Sequence, residues 1–497
     1  MNKCLQLNPL SLGLILTSSL LLSACGGDSN SSSSDKTTPI ISDITPNNNA
    51  VTHSRKVVIT GQASDDVALK SVVIINGENS VMADLNNGVF EAFIEAYPGK
   101  NNYSVIATDT SNNEASSDAS FYFGSQASAG GAHSGVIKNE KIYAWGRNNK
   151  GQAGIGTITK ISDDPETAAE VHPITPTLIS DTKFVSLAFN QNASSALDVN
   201  GQVWSWGDGD DGQLGLGVAA DDIVDETDYA SPQKIQNLTD IVAINRGYDH
   251  MLLLKSDGTV LAVGDNSYGQ LGDGSDLDQD TPVPVQGLTN VVQISASSSS
   301  YAIDKEGRVW AWGKNNYGQL ANGASDSDIH NIPTEISIDE PVINIASGKG
   351  HALALTESGK VYAWGLNASS QVGSASEDRY VLAPVLLPWF DDVIAVWANG
   401  NQSFVQRADG RIYPWGQNLD GTLGIESDSN VAEPVSPILA LEDVTDLGNG
   451  ALHTIAIRND DSVFAWGWSF EGSLGGGKDI LNAWTYRLPI SLHFEEE

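Results

Sequence analysis

The 497 residues carry 26 Lys and Arg against 62 Asp and Glu, a formal net charge of −36. With no basic surface to release counterions from phosphates, the chain is excluded as a binder of nucleic acid, chromatin or anionic lipid headgroups. The length exceeds one ordinary core, so two or more domains are expected; 49 Gly and 12 Trp point to many short strands broken by turns.

Residues 1–24 read as a lipoprotein signal peptide. Lys3 supplies the positive start, and Leu10 to Leu22 form an apolar stretch too short to span a bilayer comfortably. Leu22-Ser23-Ala24-Cys25-Gly26 resembles the bacterial lipobox. The resemblance implies that Cys25 is acylated, for example with palmitate, and becomes the first residue of a mature chain held in the cell envelope. Gly26 in place of an aspartate favours the outer membrane. The alternative is an ordinary signal cleaved elsewhere, with a free thiol at Cys25. Cys4 and Cys25 are the only cysteines, so no disulfide is expected and stability must come from burial.

Residues 25–39 read as a Ser-rich tether, with a reach of roughly 20 Å at about 5–6 Å × √n. Residues 40–124 read as a small β-sandwich. Runs such as Ser71-Val72-Val73-Ile74-Ile75 and Val89-Phe90-Glu91-Ala92-Phe93-Ile94 are separated by Asn76-Gly77, Asn87-Gly88 and Pro98-Gly99, the chemistry of hairpin turns. The segment Pro98 to Val105 followed by Ala107-Thr108-Asp109 resembles bacterial Ig-like modules, which implies a spacer.

From residue 125 to 497 a repeat dominates. A strand ends in Trp145-Gly146, Trp206-Gly207, Val263-Gly264, Trp312-Gly313, Trp364-Gly365, Trp415-Gly416 and Trp466-Gly467, with glycine spacings of 61, 57, 49, 52, 51 and 51. A clean copy runs from Ala346 to Gly365 through Gly348-Lys349-Gly350-His351, a Ser358-Gly359 turn and Val361-Tyr362-Ala363-Trp364-Gly365. A loop of the type Asn266-Ser267-Tyr268-Gly269-Gln270-Leu271-Gly272 follows. A proline-led strand then comes near Pro173 or Pro176, Pro232, Pro282, Pro333, Pro384, Pro434 and Pro489. About four strands per repeat, with glycine at each reversal, predict a seven-bladed β-propeller preceded by the small Ig-like β-sandwich, an all-β chain. The first copy begins abruptly at Ala127, and Leu488 to Phe494 supplies an extra strand at the chain's end. That strand is expected to complete the first blade and close the ring.

Gly-x-x-His, the strand ending in Trp-Gly and Asn-x-x-Gly-Gln-Leu-Gly together resemble the regulator-of-chromosome-condensation repeat family over residues 126 to 494. Val263 in place of Trp, and Ser298-Ser299-Ser300 in place of the His region, depart from the pattern. Nuclear members act as exchange factors for a small GTPase and bind chromatin, roles unsuited to an acidic chain with a lipobox. Plant ultraviolet-B receptors of this fold carry Gly-Trp-Arg-His-Thr, whereas this chain has Gly247-Tyr248-Asp249-His250 and Gly348-Lys349-Gly350-His351. Extracellular bacterial members, among them an inhibitor of β-lactamase, imply a binding scaffold.

His133, His250, His351 and His453 occupy one slot in four repeats, which scatters them around a ring and argues for a structural rather than a metal-binding role. Asp208, Asp210, Asp211, Asp273, Asp276, Asp278 and Asp280 could offer hard oxygen ligands to calcium, although neither run matches an EF-hand; no other cofactor is indicated. The first two repeats are longer than the rest, and the added segments hold Asp163, Asp164, Glu166, Glu170, Asp221, Asp222, Asp225, Glu226 and Asp228. Insertions in repeat arrays fall on one face, often the binding face. These acids are the expected docking patch for an unknown protein or glycan, favoured to be basic, on a monomeric scaffold. The alternative is an extracytoplasmic hydrolase in the central funnel; no nucleophile elbow, zinc-protease helix or phosphate loop marks one.

Overall fold

The computed structural model describes residues 35–46, 50–52, 56–77, 79–96, 99–159, 172–217, 229–373, 378–434, 436–439, 441–480 and 483–494. Nine sheets hold the described strands, two within residues 40–123 and seven within 127–491.

The first two sheets are Ile40–Thr45, Lys56–Ser64, Val89–Glu95 and Asp84–Asn86, and Ala50–Thr52, Glu114–Phe123, Gly99–Asp109, Leu69–Asn76 and Asn79–Met82, each in pairing order. Alternation along Val89–Glu95 buries Phe90, Ala92 and Ile94 and exposes the residues between them. Both sheets share one core, with Ile59, Val72, Ile74, Phe90, Val105 and Phe121 all at 0% exposure. Asn87 and Gly88 take φ of 51° and 84°, as a tight hairpin turn requires. Tyr122 packs onto the core that lies between the second and third of the following sheets.

Each of the seven later sheets comes from one contiguous segment, its strands paired in chain order. In the fifth these are Val342–Ser347, His351–Thr356, Val361–Leu366 and Tyr380–Leu386. Its second strand, His-Ala-Leu-Ala-Leu-Thr, is buried throughout rather than on alternate residues, because neighbouring sheets cover both faces. The glycine of every Trp-Gly or Val-Gly pair sits at φ between 92° and 113°. A Cβ there would lie 2.3–3.0 Å from neighbouring main-chain atoms, so the repeat can vary the tryptophan but not the glycine.

Innermost strands leave N–H groups without a ladder partner, and side chains of the preceding sheet satisfy several of them. Ser128 Oγ accepts from Phe189 N at 2.8 Å, Asn245 Oδ1 from Ala296 N at 2.8 Å and Gln293 Oε1 from Ile345 N at 3.2 Å. The seventh sheet does the same for the first: Asp446 Oδ2 accepts from Gln126 N, Ala127 N and Ser125 Oγ at 2.6, 2.9 and 2.8 Å. First and seventh sheets also share a core of Val136, Trp145, Ile455, Ala465 and Leu474. The innermost strands of all seven line one cavity of about 220 Å³.

Two expectations are corrected. The last strand, Thr485–Ser491, pairs with Val463–Trp468 of its own sheet, and the first sheet takes its fourth strand from Thr177–Ser180. The chain end reaches the first sheet through a side chain instead: Phe494 meets Tyr143 edge-on at 5.3 Å and lies under Lys138 Nζ at 5.1 Å. The sixth sheet has three strands, and no described strand forms near Pro434. Its third strand, Ile412–Gly416, carries Pro414 where the other repeats have Ala or Ser, so the ladder lacks an N–H there. A single bridge, Gly416 to Val431, replaces the strand.

Candidate partner-binding face

Between consecutive sheets one main-chain carbonyl is bracketed by side chains. Gln152 O accepts from Trp206 Nε1 at 3.0 Å and from Ser194 Oγ at 2.9 Å, and Ser194 Oγ lies 2.9 Å from His133 Nε2. Gln270 O, Gln371 O and Ser473 O are held alike by Trp312 with Ser300 and His250, by Trp415 with Ser403 and His351, and by Trp145 with Ser134 and His453. The serine proton goes to the carbonyl, so the imidazole must donate from Nε2. Nδ1 of His133, His351 and His453 then has no partner. Burial pushes the imidazole pKa values down to about 3 for His133 and His351 and about 4 for His250 and His453.

The same packing explains Gly-x-x-His. A Cβ on Gly130, Gly247 or Gly348 would lie 2.2–2.3 Å from the histidine Cε1 that follows, and on Gly450 2.9 Å. In the three turns without histidine the first residue is Asn190, Ser297 or Asn399.

Those three seams solve the problem differently. Where Val263 replaces tryptophan and Met251 stands in the serine slot, Arg246 donates to Gln213 O at 2.9 Å, Ser205 Oγ at 3.0 Å and Ser195 Oγ at 3.1 Å. Arg246 is 3% exposed, its Nη1 has no partner, and burial lowers its pKa to about 9. Tyr301 Oη and Trp364 Nε1 both reach Gln319 O at 2.8 Å. Thr454 Oγ1 and Trp466 Nε1 reach Thr422 O at 3.2 and 2.9 Å. Histidines and Trp-Gly tryptophans are thus holding neighbouring sheets together, and the histidine slot points to the next sheet.

What the repeat leaves variable is the loop face. Directly after the Trp-Gly or Val-Gly pair come Arg147, Asp208, Asp265, Lys314, Leu366, Gln417 and Trp468. On the second and third sheets the face is acidic. Burial first, then Asp249, Asp265, Asp278 and Asp208, raises the Asp211 pKa to about 6. Asp249 is raised by burial, Asp265 and Asp208, with Arg246 and Lys314 opposing. Asp208 and Asp210 share Lys150 Nζ at 3.4 and 2.9 Å.

The predicted calcium ligands do not converge. Among the described residues, the trio with ligand atoms all within 4.8 Å of one another is Asp35, Asp65 and Asp66, in the first module. Asp273 instead accepts from Ser275 and Asn266, and Asp278 from Asn266 N. The insertion acids Asp163, Asp164, Glu166, Glu170, Asp221, Asp222, Asp225, Glu226 and Asp228 lie outside the described residues, as does Cys25. Among the described residues the axial cavity has one carboxylate on its wall, Asp446, already accepting four hydrogen bonds.

One feature escaped the sequence reading. Trp468, Phe470 and Trp484 form a ladder on the seventh sheet, with ring centroids 5.1 and 5.5 Å apart; Phe470 and Trp484 are parallel within 4°. Trp484 is 64% exposed. Its signal was a pair of tryptophans, Trp468 and Trp484, outside the Trp-Gly slots.

Comparison with known proteins places these observations. The family model for the RCC1-like domain matches residues 99–388. The ultraviolet-B receptor UVR8 of Arabidopsis thaliana is 27% identical over 71% of this chain and 79% of its own length. The RCC2 homolog of Xenopus laevis is 28% identical over 71% of this chain and 61% of its own. Of the mouse E3 ubiquitin-protein ligase HERC2, 29% identical, the chain spans only 7%. Among solved structures, human WBSCR16 superposes with a TM-score of 0.61 at 22% identity, covering 72% of this chain and 94% of that one. Yeast RCC1 (Prp20), solved bound to Kap60, gives 0.62 at 22% identity over 74% and 85%. The family match ends before the sixth and seventh sheets, yet Trp415 and Ser403 of the sixth and His453 and Ser473 O of the seventh belong to the same brackets. This chain belongs to the RCC1-like domain family.

Proposed function

We propose that this chain is a lipid-anchored binding scaffold of the cell envelope. In this reading the seven sheets are the blades of one closed ring, residues 40–124 are an Ig-like spacer, and acylated Cys25 fixes the chain to the outer membrane. The loop face grips a basic protein partner, with the acidic insertions of the first two repeats on its rim. One observation carries the reading: the repeated side chains are buried in the seams, whereas the residues after each Trp-Gly or Val-Gly differ from repeat to repeat. A rigid frame with a variable loop face is the anatomy of an interaction module. A protein complex of a relative, yeast RCC1 bound to Kap60, supports it. Among the described residues the axial cavity offers the rival hydrolase one carboxylate, Asp446, and no second one to pair with it.

The test is a capture from native envelope extract, comparing the full chain with a form shortened at both 160–171 and 218–228, with and without chelator. One basic protein retained by the full chain, lost with the loops and released by salt is the expected result. Retention that ignores both loops and salt would overturn the docking site. Cys25→Ser should move the chain from the membrane to the soluble fraction; no change in partition would remove the anchor.

A further inference from the structure

The aromatic ladder on the seventh sheet is built by its backbone. Trp468 pairs with Thr485 at the end of the ladder of hydrogen bonds, Ser469 N donates to Trp484 O at 2.9 Å, and Ser469 Oγ donates to Ala483 O. The turn Phe470–Gly472 then brings Phe470 against both indoles. Glu471 of that turn takes Arg147 of the first sheet at 2.5 Å, which pins the turn and neutralises that guanidinium. Neither indole belongs to a carbonyl bracket.

An indole 64% open to water is held by a parallel ring stacked against it. Aromatic side chains fixed in place lose little entropy on binding and are the usual anchors of an interface. The occupant is chosen by charge. The chain carries −36, and the same loop face bears Asp208, Asp211, Asp249 and Asp265, which repel one another. A cationic group answers both features, and a planar guanidinium stacks on an indole better than an ammonium does.

We infer that the Trp468–Phe470–Trp484 ladder anchors the basic partner by stacking one of its arginine side chains on the exposed indole of Trp484, while the carboxylates of the second and third sheets draw in further basic residues. The inference rests on the scaffold reading and names its contact chemistry.

The experiment measures fluorescence anisotropy of labelled tetra-arginine, tetra-lysine and an N-acetylglucosamine tetramer on the full chain and on Trp484→Ala, Trp484→Phe and Asp211→Asn/Asp249→Asn. Tetra-arginine should bind more tightly than tetra-lysine. Trp484→Ala should weaken it roughly 3- to 30-fold, Trp484→Phe should restore most of the loss, and the double aspartate variant should flatten the salt dependence. Tetra-arginine binding that is untouched by Trp484→Ala but weakened by the aspartate variant overturns the anchor and leaves the scaffold reading standing. No binding of either basic peptide overturns both. Sugar binding lost with Trp484, alongside unchanged arginine binding, would make the ladder a glycan platform and overturn the inference. Trp484 is exposed and outside every seam, so its variants should keep the parent melting temperature.

Discussion

His351 donates from Nε2 to Ser403 of the next sheet and is fully buried with Nδ1 unpartnered, so protonating Nδ1 would place an unpaired charge in the seam. Its pKa of about 3 lies below the ordinary value near 6.5. A base with a depressed folded pKa contributes stability that is complete above the unfolded value and is lost as pH falls toward the folded one. His133, His250 and His453 share this sign, so melting temperature should drop steeply between about pH 6.5 and 4. The chain itself supplies a control: in the sixth sheet Gln402 fills the histidine slot and reaches Thr422 Oγ1 at 3.3 Å. His351→Gln should cost about 1 kcal/mol at neutral pH and make the acid slope shallower. An unchanged slope would mean that carboxylates, not imidazoles, set the acid limit. Asp211 has the opposite sign. Its folded pKa, about 6, is raised, so stability declines as pH rises through the window between the unfolded carboxylate value and 6. Asp211→Asn should therefore raise the melting temperature at pH 8 and give no gain near pH 4; a gain at both would point to packing rather than charge.

At the scale of elements, much was legible because steric rules leave marks in sequence. Gly365 cannot carry a Cβ beside Gly350 O, and Gly348 cannot carry one beside His351, so the motifs recur wherever those contacts recur. What was not legible depended on a neighbour across a seam. Val263 looked like a lapse in the pattern, and only packing shows Arg246 taking over the carbonyl that Trp and Ser hold elsewhere. Arg246→Leu should be among the most damaging single changes, about 2–4 kcal/mol, because Gln213 O, Ser195 and Ser205 lose a donor or partner together. Chemical denaturation would measure it; a loss below about 0.5 kcal/mol would show the seam held by apolar packing alone. The missing strand of the sixth sheet was written in one letter, Pro414, but its effect shows only once the ladder to a fourth strand is drawn. Which sheet the last strand would join was likewise a choice between two partners with the same pattern, and alternation cannot separate them.

For the whole molecule, the position of closure decides how the chain is held together. Since Thr485–Ser491 stays in its own sheet, no described strand is exchanged between the first repeat and the seventh. Besides the bracket at Ser473 O and the Arg147–Glu471 ion pair, the junction of the two ends rests on the core they share, on Phe494 and on one carboxylate. Asp446 serves three donors from Ser125, Gln126 and Ala127, whereas Gln293, in the equivalent slot, serves the single N–H of Ile345. Two of the Asp446 donors, Gln126 N and Ala127 N, are main-chain groups without another ladder partner on that side, so removing the carboxylate leaves them unpaired. Asp446→Ala should therefore destabilise by about 2–4 kcal/mol, and Gln293→Ala by about 1 kcal/mol. Removing residues 493–497 takes away Phe494 and should lower stability further, additively with Gln293→Ala but not with Asp446→Ala, because the last two act on one seam. Urea denaturation of the three variants and the two combinations reads this directly. Equal losses for Asp446→Ala and Gln293→Ala, with full additivity throughout, would mean that all seven seams are alike and that the ends of the repeat array need no special closure.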